Sequence, residues 1–209
     1  MNKMHFHRTT NSSPAARASA AFAIVTVISL GLVACAKSAV DESDRHSSTE
    51  SDVGSAAPGA TLVEGDGHID DGASLTPFDT SNAAIANLDS RLLDAIQDAA
   101  RGAEAEGITV FVNSGWRSIS YQKQLLAEAV TEYGTEDEAR RWVSTPQESR
   151  HVSGDAVDIG SWDAAAWMDE HGSAWGLCRV FDNEPWHFEL LTSPGGECPR
   201  LLHDATDPR

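Results

Sequence analysis

The chain has 209 residues, a formal net charge of -17, and a composition that is 41% hydrophobic and 22% charged. That length allows one domain with a sizeable core beside a leader and a linker. Such acidity excludes attraction to nucleic acid or anionic lipid by charge alone, and is read as serving solubility rather than as a sign of the substrate.

Lys3, Arg8 and Arg17 precede an uncharged run from Ala18 to Ala34. A membrane span needs ~20 apolar residues, so the run is short for one and has the shape of a secretory signal. It ends in Leu32-Val33-Ala34-Cys35, which resembles a bacterial lipobox, where cleavage leaves the Cys as a lipid-bearing N-terminus. An ordinary signal peptide with an incidental Cys35 is the alternative. Residues 1–34 are read as a lipoprotein signal peptide and Cys35 as its lipidation site. From Cys35 to residue 75 there is no Phe, Trp or Tyr, while Ser, Ala, Gly and acids such as Asp41, Glu50 and Asp70 abound. This composition cannot bury enough apolar surface to offset chain entropy, so 35–75 is expected to be a disordered acidic tether, with His46 and His68 as solvated bystanders.

Residues 76–209 read as one domain. Asp89 is an N-cap before Leu92, Leu93, Ile96, Ala99, Ala100 and Ala103, which share one helical face, and Gly107 is a stop. Thr109 to Val112 reads as a strand. Ser120 is expected to cap a second helix with Leu125, Leu126, Ala129, Val130 and Tyr133 inward, ended by Gly134; Thr135 and Glu138 form a capping-box pattern for a third helix through Val143. Ala156 to Ile159 is a short strand and Asp163 starts a helix in which His171 sits near the C-terminal dipole. Gly176 to Phe181 and Trp186 to Leu191 are two strands joined by the Asp182-Asn183 turn. The order is α+β: N-terminal helices packed on a small antiparallel sheet. Most of Trp116, Trp142, Trp162, Trp167, Trp175 and Trp186 are expected in the core, Trp186 beneath the site, and Pro185 restricts Glu184 to extended backbone.

Two stretches carry chemistry: Ser149-Arg150-His151-Val152-Ser153-Gly154-Asp155-Ala156-Val157-Asp158, and Glu184-Pro185-Trp186-His187. Zinc hydrolases keep three protein ligands and leave a fourth position open, so His151, Asp158 and His187 make a plausible His/Asp/His site. Glu184 is then spare and well placed to take a proton from water. Each residue alone has a plainer explanation: a satisfied core histidine, a salt bridge for Arg117, a helix cap for Ser149.

In that order, and with Ser114-Gly115-Trp116-Arg117-Ser118 and Gln122 upstream, the stretch from Asp89 to Leu190 resembles the VanY-type D-alanyl-D-alanine carboxypeptidases, zinc peptidases that trim peptidoglycan stem peptides. The resemblance implies Zn held by His151, Asp158 and His187, Glu184 as catalytic base, and Arg117 as the group that polarises the scissile carbonyl. It implies Ser149 and Gln122 as substrate-recognition residues. Trp116 stands where the family usually has Tyr, keeping an aromatic wall and removing a hydroxyl. It further implies a Hedgehog- and D,D-peptidase-like fold carrying the zinc site; with the lipobox-like run and the acidic charge, the expectation is a monomeric enzyme of the bacterial cell envelope, lipid-anchored through Cys35 and without a nucleic-acid partner. On the same scaffold a D,D-dipeptidase, an L,D-carboxypeptidase, an endopeptidase and a non-catalytic zinc-containing wall-binding module remain open. With Cys35 assigned to lipid, Cys178 and Cys198 are left as a pair in an oxidising compartment, so a disulfide around Glu184 and His187 is expected, with two buried thiols as the alternative.

Overall fold

The computed structural model describes residues 63–208. The signal peptide, Cys35 and most of the tether lie outside the described residues. A one-turn helix α1 (Ala83–Ala86), capped by Asn82, leads into α2 (Ser90–Ala105). The Asp89 carboxylate accepts the Arg91 N–H at 3.0 Å, and the helix buries Leu92, Ile96, Ala99, Ala100 and Ala103, the apolar stripe expected from their spacing. Leu93 is only half-buried.

Strand β1 (Phe111–Ser114) starts two residues later than the expected Thr109. Its partner β2 (Ala156–Gly160) ends opposite Phe111, so Thr109 and Val110 have no ladder to join. Helix α3 (Ile119–Tyr133) is capped by Ser118 rather than Ser120: the Ser118 hydroxyl accepts the Tyr121 N–H at 3.0 Å. Of its expected inward residues only Ala129 is fully buried, because α3 packs on α4 (Glu136–Ala139) and a cleft and not on the sheet. Tyr121 and Gln122 are buried instead. Thr135 accepts the Glu138 N–H at 3.2 Å, but the Glu138 carboxylate turns to Arg141, so the capping box is only half made and the helix stops at Ala139.

Helix α5 (Arg150–Ser153) precedes β2, and α6 (Trp162–His171) follows it. Strands β3 (Leu177–Arg179) and β4 (His187–Leu190) are shorter than expected. The sheet order is β1-β2-β4-β3, antiparallel throughout. One face carries Val112, Val157, Ile159 and Phe188 into a core shared with α2 and α6. Burying each such side chain is worth about 1.5–3 kcal/mol. Among the six tryptophans only Trp167 is buried; Trp142 and Trp162 are exposed and the others half-buried. Trp162 and Trp186 lie along the cleft, where a large ring can keep one side wet.

Residues 63–75, expected within the tether, pack on the domain. A 3-10 turn spans Glu64–Asp66, Ile69 joins the core edge, and Leu75 O accepts the Val112 N–H at 2.8 Å. Few apolar residues suffice here because Asp66, His68 and Leu75 are tied by hydrogen bonds to the elements that follow.

Cys178 and Cys198 are joined, with Cα atoms 5.6 Å apart. Beyond the disulfide, Leu202 bridges Phe181, and Asp204 accepts from Arg141 at 2.7 Å and from the Thr206 N–H at 2.9 Å. Closing a loop of this size is worth about 3 kcal/mol. Urea unfolding of the Cys178→Ser/Cys198→Ser protein should therefore show a loss of about 2–4 kcal/mol relative to the oxidised wild type.

Candidate active site

The register of the sheet builds the site. Ser114 lies opposite Asp158 across β1 and β2, and Asp158 opposite His187 across β2 and β4. Opposed residues of antiparallel strands project to the same face, so Ser114, Asp158 and His187 form one row on the face away from the core. Helix α5 brings His151 over the row. Its Gly154 adopts φ +79 and approaches the Asn87 carbonyl so closely that a Cβ would lie 2.5 Å from that oxygen, which accounts for the glycine three residues after His151. Glu184 and His187 close a turn with Pro185 at its second position, the His187 N–H donating to Glu184 O at 3.1 Å.

His151, Asp158 and His187 are buried, and one donor atom from each lies within 4.8 Å of the others. Asp158 Oδ1 is 3.4 Å from His151 Nε2 and 3.2 Å from His187 Nδ1. The outer nitrogens are held from behind: His151 Nδ1 is 2.8 Å from Gly115 O, and His187 Nε2 is 3.1 Å from Glu189 Oε1. An acceptor behind each ring can hold the outer N–H, so that the inward nitrogen is the one that gives up its proton and coordinates when a cation binds. The donor set thus fits a divalent cation with at least one open position.

The electrostatics are those of a site built around positive charge. Burial opposes the Asp158 charge, yet His151, His187 and Arg117 hold its carboxyl well below the usual range. Burial also opposes the His187 charge, but its hydrogen bonds to Asp158 and Glu189 carry it up to about 9. His151 is lowered by burial and by the Arg117 charge. Burial pushes Glu184 up to about 7 against the pull of His187. Glu184 Oε2 lies 3.9 Å from His187 Nδ1, and its Oε1 is buried without a hydrogen-bond partner.

Arg117 donates from Nε to Ser114 Oγ at 2.8 Å, from Nη1 to Gln122 Oε1 at 3.2 Å, and from Nη2 to Asp158 Oδ2 at 3.0 Å. These bonds use three of the five donors of a guanidinium, leaving two for the cleft. Gln122 Nε2 is anchored on Ser144 O at 2.9 Å, which makes Gln122 a support for Arg117. Ser149 is buried, lines the cleft and makes no side-chain cap bond to α5, so the helix-cap explanation does not apply. Trp116 is not brought to this place: it is not among the residues that line the cleft, and it packs against Gly67. The cleft has a volume of about 1710 Å³ and is bounded by Ile69, Tyr121, Trp162, Trp186 and the C-terminal Thr206 and Asp207. Sequence reasoning passed over Glu189 and Ser114. A carboxylate two residues from a ligand in a strand of otherwise apolar residues shares that ligand's face, and this was the available signal for Glu189.

The molecule is therefore an α+β domain with a buried three-donor centre and a spare carboxylate at the base of an open cleft. Residues 85–192 match the model of the VanY family, D-alanyl-D-alanine carboxypeptidase, and the chain belongs to that family. It is 30% identical over 129 residues to a D-alanyl-D-alanine carboxypeptidase of Enterococcus faecalis, covering 50% of this chain and 48% of that protein, so it spans about half the length of the curated relative. Among solved structures it is similar to a mutant of the vancomycin resistance D,D-pentapeptidase VanY from a VanB-type resistance cassette in complex with Zn(II), at 29% identity and TM-score 0.46, covering 49% of this chain and 71% of that one. It is also similar to VanYB in complex with D-alanine-D-alanine, at 28% identity and TM-score 0.48, covering 50% and 72%.

Because Glu189 holds the outer nitrogen of His187, Glu189→Gln should weaken Zn(II) binding about 10- to 100-fold while the fold is kept. Competition with a chromophoric chelator, alongside circular dichroism, measures both; unchanged affinity would show that Glu189 does not tune the site.

Proposed function

We propose that this protein is a zinc-dependent D-alanyl-D-alanine carboxypeptidase that removes the terminal D-Ala from peptidoglycan stem peptides at the bacterial cell envelope. The observation that carries the reading is the buried Oε1 of Glu184, without a partner and next to a buried His/Asp/His donor set. A structural staple closes its coordination sphere and has no need of a fourth, unpartnered carboxylate. The family match and the D-Ala-D-Ala bound to a similar protein support the substrate class.

His151 Nε2, Asp158 Oδ1 and His187 Nδ1 would hold the ion, and nitrogen with carboxylate donors suit zinc. Zinc, when bound, supplies Lewis-acid polarisation and a water acidified to a pKa near ~7. The protein's own groups do the rest. Glu184 accepts the proton of the attacking water at Oε1, then returns it to the leaving amine nitrogen, so the C–N bond breaks without expelling an amide anion. The two remaining Arg117 donors meet the carbonyl oxygen as its negative charge grows. Ser149 offers a hydroxyl to the bound peptide, and Trp186 with Trp162, 6.2 Å apart, supplies an apolar wall.

Incubation of the wild type with pentapeptide and tetrapeptide stems, read by mass spectrometry, should show loss of one D-Ala from the pentapeptide alone. Glu184→Gln should keep its zinc and lose about 10²–10⁴-fold in rate; Arg117→Ala should lose about 10²–10³-fold. Wild-type turnover by Glu184→Gln at full metal content would remove Glu184 as the base. A zinc-loaded wild type inactive on every stem would favour a wall-binding module. At the other end of the chain, export and lipid attachment at Cys35 are part of the same proposal. Cys35→Ala should release the protein from the membrane fraction or block its processing, as fractionation and immunoblotting would reveal.

A further inference from the structure

Residues 63–75 lie ahead of the stretch that matches the family model, yet they grip the loop that carries Arg117. The Ser118 N–H donates to Asp66 O at 2.9 Å and the Ser118 hydroxyl to Asp66 Oδ1 at 2.9 Å. Gly67, at φ +81, approaches so closely that a Cβ would lie 2.0 Å from the Trp116 carbonyl oxygen. The chain direction after Gly67 is therefore fixed. Ile69 reaches the cleft wall, and His68 meets Tyr121: Nδ1 lies 3.2 Å from the phenolic oxygen, with the rings edge to face at 5.6 Å.

The other ring nitrogen decides what this contact does. His68 Nε2 lies 3.4 Å from Asp70 Oδ1, which favours the proton on Nε2. Nδ1 is then an acceptor, so the Tyr121 hydroxyl donates to His68 and keeps lone pairs on its oxygen, and Tyr121 is among the residues that line the cleft. Burial raises the Tyr121 pKa above its ordinary value, so the hydroxyl stays protonated. An extended peptide brings backbone N–H groups that need acceptors, and the acceptors around Arg117 are committed. Asp158 faces two imidazoles and the guanidinium, and Gln122 Oε1 accepts from Arg117.

We infer that Tyr121 is a substrate-binding residue whose phenolic oxygen accepts a backbone N–H of the bound peptide, and that His68 is a positioning residue acting through it. The inference rests on the peptide-hydrolase reading above. Loss of one such hydrogen bond leaves a substrate donor unsatisfied in the complex and affects ground state and transition state alike, so it acts on KM and not on kcat.

The test is steady-state hydrolysis of a D-Ala-D-Ala-ended peptide by the full-length protein, with melting temperature and zinc content as controls. Tyr121→Phe should raise KM about 5- to 10-fold with kcat within about 2-fold. His68→Ala should shift KM in the same direction by about 3-fold. His68→Asn, whose amide oxygen can stand near the place of Nδ1, should restore it. In the double variant His68→Ala should add nothing to Tyr121→Phe, because both remove one interaction. Wild-type KM in Tyr121→Phe would overturn the binding role, and a His68→Ala effect that persists undiminished beside Tyr121→Phe would overturn the positioning role. If the zinc-loaded wild type hydrolyses no peptide, the hydrolase reading fails instead. Calorimetric peptide affinity of wild type against Tyr121→Phe then decides the Tyr121 role, with equal affinity counting against it.

Discussion

One carboxylate organises the site. Asp158 is buried in the middle strand pair, and burying a lone charge costs several kcal/mol unless partners surround it. The structure surrounds it: two imidazoles face Oδ1 and a guanidinium holds Oδ2. Each partner arrives from a different element, and each is held in turn. Ser114 and Gln122 fix Arg117, Glu189 fixes His187, and the Gly115 carbonyl fixes His151. The sheet order β1-β2-β4 is what allows this, because it sets Ser114, Asp158 and His187 side by side. A slip of one residue in either pairing would turn half of the row into the core.

The same demand explains why the polar side of the sheet is closed by segments of low apolar content. Residues 63–75 and the stretch after Cys198 both flank the region of the family match, and both reach the cleft, the first through Ile69 and the second through Ala205 to Pro208. Neither is held by a large core. The first is tied through Asp66, His68 and Leu75, the second through the disulfide, the Phe181–Leu202 bridge and the Asp204–Arg141 pair. Hydrogen bonds and a covalent link can fix a wall beside water where hydrophobic burial cannot.

What could be read from the sequence follows this division. The α2 stripe, the β2 strand and the convergence of His151, Asp158 and His187 were legible, because periodicity and motif spacing report on elements that face a core or a metal. The ends of β1, β3 and β4 were not, since a strand lasts only as long as its partner and pairing is a tertiary fact. Helix α3 misled for a related reason: Leu125, Leu126 and Val130 have the spacing of a core face, but this helix leans on α4 and the cleft, so those residues stay half-buried while Tyr121 and Gln122 go inside. The tryptophans failed as core markers because a ring with one wet side is as useful along a cleft as within a core. Residues 63–75 looked like linker since their order comes from specific bonds to Ser118, Tyr121 and Val112, which composition does not reveal.

Among the described residues, Glu184 is one of four whose buried side-chain polar atoms lack a hydrogen-bond partner, and the one beside the donor set. A buried carboxylate oxygen without a partner is costly, and Pro185 with the turn onto His187 fixes the backbone that carries it. Burial that raises its pKa to about 7 disfavours its charge and strengthens its hold on a proton. Positive charge placed on the three nearby donors would pull that value down, so the cation favours the unprotonated carboxylate that can take a proton, with a weaker hold on it once taken. Binding of the cation and readiness to accept a proton are thus coupled through one short distance, the 3.9 Å between Glu184 and His187. A group that served stability alone would be expected to find a hydrogen-bond partner in the fold, and the buried Oε1 of Glu184 has none.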